Sequence, residues 1–187
     1  GSMRVLFIYP SLDWPAGVNH GLASLSAVLK RAGHETSLIH VNENLWPVPT
    51  NAEIIERVRR YDPGVNGFSV MSQQYEWTCA LVRDLRAAGL RIPSCIGGVH
   101  PTMVPEEVTE TGLFDYVAVG EAEYAFLELV DRLERGEDTS RVPNMRIWRP
   151  DGKHIKNPVA PFPELSGLPD MDWDLFEMDH ILRVKKG

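Results

Sequence analysis

The sequence predicts an α/β domain on a doubly wound, parallel five-stranded sheet of the Rossmann-like, flavodoxin-like kind, followed by a C-terminal hairpin and linker. Three observations predict it. Short apolar runs alternate with amphipathic stretches from Arg4 to about Gly136, the pattern of successive βαβ units. The first run, Val5-Leu6-Phe7-Ile8-Tyr9, is apolar without a break, as a strand covered on both faces must be. Glycines fall where helices should stop, at Gly33, Gly89 and Gly136.

The elements follow in order. After the first strand, which ends at Pro10, Leu22, Leu25 and Leu29 share one helical face, and Gly33 precedes a second strand from Thr36 to His40. A helix carrying Ile54, Val58 and Tyr61 is broken by Pro63-Gly64, and Val65 to Val70 reads as the third strand. Trp77, Leu81 and Leu85 mark the next helix, with the short fourth strand at Ser94-Cys95-Ile96. A weaker helical segment near Glu106 to Thr111 leads to a fifth strand, Tyr116 to Val119, and Phe126, Leu129, Val130 and Leu133 form the last stripe. Beyond it, Arg146-Ile147-Trp148 and His154-Ile155-Lys156 flank Pro150-Asp151-Gly152, a hairpin with Asp-Gly at its turn. Pro158 to Pro169 holds four prolines and reads as an extended linker, and Trp173 to Ile181 as a short helix.

Composition narrows the function classes. With 187 residues and 43% hydrophobic content, one core is expected: residues 3–140 as the main domain and 141–187 as hairpin and proline-rich connector. A net charge of -7 argues against a nucleic-acid partner, which calls for clustered Lys and Arg. No apolar run approaches the roughly 20 residues that span a bilayer, so a cytoplasmic protein with no membrane partner is expected. Gly1-Ser2 ahead of Met3 reads as a tag remnant. Cys79 and Cys95 are the two cysteines, read as buried free thiols.

In a doubly wound sheet the ligand crevice lies at the carboxyl ends of the strands, so candidate binding residues are those that follow each strand. After strand one stands a loop of about a dozen residues containing Leu12, Asp13, Trp14, His20 and Gly21, where a dinucleotide fold would place G-x-G-x-x-G. After strand three come Met71, Ser72 and Gln73, with Ser69 at the strand end. After strand four come Gly97, Gly98, His100, Pro101 and Thr102, and after strand five Gly120 and Glu121. Adjacent glycines at a strand end remove bulk where a large group must approach the backbone, or serve a tight turn. Ser69 and Ser72 offer hydroxyls to a nucleotide tail or to backbone groups. His100 touches a cofactor or caps a helix, and Glu121 starts a helix, where a carboxylate also suits the dipole. Trp14 packs its loop or meets a ligand. His34, His40 and His154 read as surface or capping groups, and no histidine pair has metal-ligand spacing.

Ser69-Val70-Met71 and Gly97-Gly98 resemble two of the three elements of methionine synthase-type cobalamin domains, S-x-L and G-G. The third, D-x-H-x-x-G, is missing, because Pro15 follows Asp13-Trp14 where the cobalt-ligating histidine would stand. More specifically, Arg4 to Tyr9, the helix from Gly21-Leu22 to Ala32-Gly33-His34-Glu35, Gly97 to Thr102, Gly120-Glu121-Ala122-Glu123, the Asp-Gly hairpin and Leu168 to Trp173 are together similar to the N-terminal domain of cobalamin-dependent radical S-adenosylmethionine enzymes. That resemblance covers nearly the whole chain. It implies a cobalamin-binding module that holds the cofactor base-off, detached from a parent that methylates or does related radical chemistry. It also implies a missing barrel partner that binds S-adenosylmethionine and a [4Fe-4S] cluster. The barrel's C-x-x-x-C-x-x-C motif is absent here, so neither group is expected in this chain, and the chain alone is expected not to be catalytic. The alternative is a cofactor-free or flavin-type flavodoxin-like interaction or signalling domain. A receiver would need an acidic cluster after strand one, where Tyr9-Pro10-Ser11 stands, and a flavin site a Ser/Thr-rich phosphate loop.

Overall fold

β1 (Arg4–Pro10) is buried along its length after Arg4, and β2 (Glu35–Val41) and β3 (Val65–Ser69) run parallel on either side of it. The computed structural model describes residues 1–161 and 167–187. β4 (Ser94–Gly97) and β5 (Tyr116–Ala118) continue the parallel set outward from β3. The five predicted strands therefore stand in the order β2-β1-β3-β4-β5. The hairpin strands β6 (Met145–Trp148) and β7 (His154–Lys156) extend the same sheet antiparallel to β5, giving seven strands. Arg146 and Lys156 of the hairpin reach Glu106 at 2.7 and 3.4 Å.

Helices cover both faces. α1 (His20–Arg31) and α6 (Glu123–Arg135) lie on one face with Phe7, Tyr9, Cys95, Tyr116 and Ala118 beneath them. α2 (Asn51–Tyr61), α3 (Tyr75–Ala87) and α5 (Pro105–Glu110) cover the other, over Leu6, Ile8, Phe68, Ile96 and Val117. Local chemistry fixes the ends: Thr50 and Glu53 form a capping box at α2, and Asn19 Oδ1 accepts the Leu22 N–H at α1. No helix among the described residues is long and apolar enough to cross a membrane.

Several expectations are corrected. α4 (Val99–Met103) forms directly after Gly98, inside a stretch read as loop. α6 begins at Glu123, so Glu121 stands in the preceding loop and is not the helix-starting carboxylate. His34 and His40 are buried, not surface groups. His34 Nδ1 accepts the Met3 N–H at 3.1 Å and its Nε2–H faces Asp131 Oδ1 at 2.7 Å, tying the residue ahead of β1 to α6. Cys79 and Cys95 are free and buried, as expected.

The middle of the proline-rich linker, residues 162–166, lies outside the described residues. The C-terminal segment from residue 167 wraps back onto the domain. Asp172 binds Lys30 Nζ at 2.8 Å and Ser26 Oγ at 2.6 Å. The tail reads as one short helix in sequence but forms a 3-10 turn, Trp173–Leu175, and then α7 (Met178–Lys186). Phe176 and Ile181 join the core on the α1 side.

Candidate functional site

The carboxyl ends of the central strands open onto a groove of about 860 Å3, within the range of cofactor sites. Its floor is made of small side chains. Strand alternation turns Gly67 and Ser69 of β3, Cys95 and Gly97 of β4, and Ala118 of β5 toward the α1 and α6 side. The register sets Gly67 beside Cys95 and Ser69 beside Gly97, and the pairing of Ile96 with Val117 brings Ala118 next in that row. Leu22 and Leu25 of α1, Phe126 of α6 and the segment from Val159 to Pro161 form the walls. Val99, Met103 and Val159 line the groove while remaining 57%, 69% and 57% exposed. An apolar rim of that kind marks a surface meant to be covered.

The two adjacent glycines have different tasks. Gly98 has φ +106°, and a Cβ there would stand 2.9 Å from Val70 N and 3.0 Å from Val70 O, so it serves the close packing of loop on strand. A Cβ on Gly97 would meet only the Ala118 Cβ, at an ordinary 3.6 Å. Gly97 is what keeps the floor low.

Half of the residues singled out in sequence line this groove: Gly21, Ser69, Met71, Gly97, Gly98, Thr102, Gly120 and Glu121. The others lie outside its walls, each with a visible occupation. Leu12 is gripped by the buried Gln74, whose amide accepts from Leu12 N at 3.2 Å and donates to Leu12 O at 2.7 Å. Asp13, at φ 56°, donates its N–H to Glu43, and the Trp14 carbonyl accepts from Asn42 and Asn44. The loop is thus drawn toward the end of β2. His20 is exposed at the start of α1, its ring edge-on to Trp173 at 5.3 Å. Ser72 and His100 bond to each other at 3.0 Å, with the His100 ring over Tyr75 at 4.3 Å. Gln73 is exposed and Pro101 is buried in α4.

Three polar residues that shape the site were not singled out. Asn19 caps α1 and donates from Nδ2 to Ser69 Oγ at 2.9 Å, joining the first helix to the end of β3. An Asn just ahead of a helical stripe was its signal. Asn144, buried with φ 67°, donates to Val119 O at 2.8 Å and Glu121 O at 3.2 Å and accepts from Ala160 N at 3.1 Å. It therefore fixes both the loop after β5 and the Val159 wall. Glu123 is buried at the start of α6 in the groove wall, and its Oε2 has no partner among the described residues. Burial, then the nearby Glu121 carboxyl, push Glu123 up from the usual carboxylate range. Burial also raises the Tyr9 hydroxyl and pushes the Cys95 thiol up to about 12, so the floor is uncharged.

Residues 15–130 match the model of the B12 binding domain family. The chain belongs to that family. Among curated proteins, this B12-binding domain is 24% identical over 186 residues to an uncharacterized methyltransferase of Pyrococcus horikoshii, PH0819, covering 95% of this chain and 39% of that protein. Among solved structures it is similar to the cobalamin-dependent S-adenosylmethionine radical enzyme OxsB with aqua-cobalamin bound, at a TM-score of 0.82 and 18% identity, covering 98% of this chain and 25% of that one. It is also similar to the radical S-adenosylmethionine methyltransferase TsrM of Kitasatospora setae with cobalamin and a [4Fe-4S] cluster bound. The TM-score there is 0.70 at 19% identity, over 91% of this chain and 31% of that one. At those identities the structural likeness speaks for the fold. The chain spans well under half the length of each of these relatives.

Proposed function

We propose that this domain carries cobalamin base-off, with the corrin over the apolar rim and the nucleotide tail in the groove, as one module of a larger radical S-adenosylmethionine enzyme. The observation that carries the reading is the low floor of the groove, Ser69, Gly97 and Ala118 side by side across three strands. Side chains of ordinary size there would fill it, as they do on the opposite face. The polar groups suit the cofactor as well. Ser69 Oγ accepts from Asn19, and Thr102 Oγ1 accepts the Gly120 N–H at 3.0 Å. Each hydroxyl keeps its proton to donate to a ligand acceptor. The apolar rim of Val99, Met103 and Val159 excludes water from the cofactor's edge.

Bound cobalamin would supply a cobalt centre able to carry a methyl group or an electron. The protein's part is to hold and orient it and to leave its upper face open to the parent's barrel, where S-adenosylmethionine and the [4Fe-4S] cluster would reside. The names of PH0819 and TsrM support a methyltransferase as parent. The test is direct: the chain incubated with hydroxocobalamin and desalted is expected to keep about one equivalent, read from its visible spectrum. A colourless protein overturns the reading in favour of a cofactor-free interaction domain.

A further inference from the structure

The groove holds few polar side chains among its apolar walls. Ser69 and Thr102 spend an oxygen lone pair on protein N–H groups and keep their own protons. A further polar group in the wall is Glu123, at the start of α6. Its side chain is buried where Thr102 is exposed, and its Oε2 is closed off from solvent with no partner among the described residues. Glu121, the other carboxyl in the wall, lies on the exposed loop two residues earlier. Among the described residues lining the groove no Lys, Arg or His stands ready to neutralise a carboxylate. An unpaired buried charge is costly, so burial favours the protonated form of this side chain, a strong donor in an apolar wall.

Only part of a corrinoid can reach it. In the proposed reading the macrocycle stays at the rim, outside the walls of Leu22, Leu25 and Phe126. The flat heteroaromatic base of the nucleotide tail fits an apolar slot, and once off cobalt it carries one ring nitrogen with a free lone pair. That nitrogen loses water on entering the groove and needs a donor.

We propose that Glu123 recognises the base of the nucleotide tail, its carboxyl donating a hydrogen bond to the ring nitrogen released from cobalt. This rests on the cobalamin reading, and the experiment separates the two. Binding of hydroxocobalamin and of cobinamide, the corrinoid without the tail, is titrated into the chain and its Glu123→Gln and Glu123→Leu variants. The span starts near the ordinary carboxylate range, at about pH 5, and runs upward to about pH 9. Cobalamin should bind tighter than cobinamide. Glu123→Leu should lose about tenfold or more for cobalamin and far less for cobinamide. Glu123→Gln, whose amide also donates, should keep most of the preference.

In the unsubstituted chain the preference should fall as pH rises and the acid ionises, and in Glu123→Gln it should be flat. The other titratable groups facing the site are Glu121, Tyr9 and Cys95. Tyr9 and Cys95 are held up by burial and stay neutral across that span, and Glu121 is common to both proteins. Equal losses for both corrinoids, or an unchanged cobalamin affinity in folded Glu123→Leu, overturn the inference and leave the cobalamin reading intact. Failure to bind either corrinoid overturns both.

Discussion

The two faces of the sheet are built from the same strands and do opposite things. On the face under α2, α3 and α5, β3 to β5 present Phe68, Val70, Ile96 and Val117, all buried in a continuous core. On the α1 and α6 face the same strands present Gly67, Ser69, Cys95, Gly97 and Ala118, and the groove lies there. A parallel sheet has no intrinsic cavity. The void exists because side chains one residue apart along each strand differ in size, and alternation sends Gly67, Ser69, Cys95, Gly97 and Ala118 to the same side.

The largest effects should come from exchanging the character of the two faces. Gly97→Leu adds bulk to the floor at an allowed φ, with only the Ala118 Cβ nearby. Cobalamin retention after desalting should drop at least about a hundredfold, since the groove is filled, while the melting temperature moves little. Ile96→Ala, one residue away and fully buried on the opposite face, should do the reverse. It should cost about 2–4 kcal/mol of stability, measured by denaturant titration, and leave retention per folded molecule unchanged. If both variants lose stability and cofactor together, the faces are not separable and the contrast fails. Gly98 cannot serve for this test, because any side chain there strains the backbone and meets Val70.

The same contrast explains how much was legible in sequence. Apolar runs such as Val5 to Tyr9 announce strands because burial on two faces leaves no polar position to confuse the pattern. Gly97-Gly98 and Ser69-Val70-Met71 announced the site because they stand together at strand ends. The floor as a whole was not legible: Gly67, Cys95 and Ala118 are widely spaced along the chain and form a surface only through register. Asn144, and the burial of Glu123 within the quoted Gly120 to Glu123 stretch, were not legible for another reason. Polar residues in a hairpin lead and at a helix start are ordinarily solvated, and nothing in the chain says that these two are buried. The first part of the loop after β1 was expected at the crevice, but Asn42 and Asn44 hold it toward the end of β2 and Gln74, in the turn after β3, grips Leu12, long-range partners that local pattern does not reveal.

The hollow face is itself filled farther along, over β1 and β2, and that boundary gives a smaller effect. There His40 is buried among Tyr9 at 5.0 Å and Trp46 and Phe176 at 5.7 Å, with neither ring nitrogen bonded among the described residues. Burial lowers its pKa from 6.5 to about 4. The neutral ring is favoured in the fold, so its contribution is complete above the unfolded value of about 6.5 and is lost as pH falls toward about 4. The loss amounts to about 3 kcal/mol at most, at about 1.4 kcal/mol per pH unit. In His40→Phe, stability measured across that interval should lose this component of its slope. An unchanged slope would mean that carboxylates alone carry the acid sensitivity.

The smallest effect is expected at His20, which tests where the groove ends. It is the one histidine of the loop after β1, and Pro15, which has no ligating side-chain nitrogen, stands where the resemblance to methionine synthase-type domains would put a ligating histidine. A fold-back of the loop would be needed to bring His20 to a cobalt over the groove. The structure shows the opposite disposition: His20 opens α1 from its exposed side, its ring edge packed at 5.3 Å against Trp173, while its neighbours Asn19, Gly21 and Leu22 line the groove and it does not. Asn19, fixed to both Leu22 N and Ser69 Oγ, pins the residue before it and leaves little freedom for such a fold-back. His20→Ala should therefore change cobalamin retention less than about twofold, the loss of one exposed aromatic contact being small. Electron paramagnetic resonance of the Co(II) form gives the sharper reading. Unsplit lines, identical in the variant, are expected of a cobalt with no protein nitrogen beneath it. A three-line nitrogen splitting that disappears in His20→Ala would place this ring on the metal and move the boundary of the site across the first turn of α1.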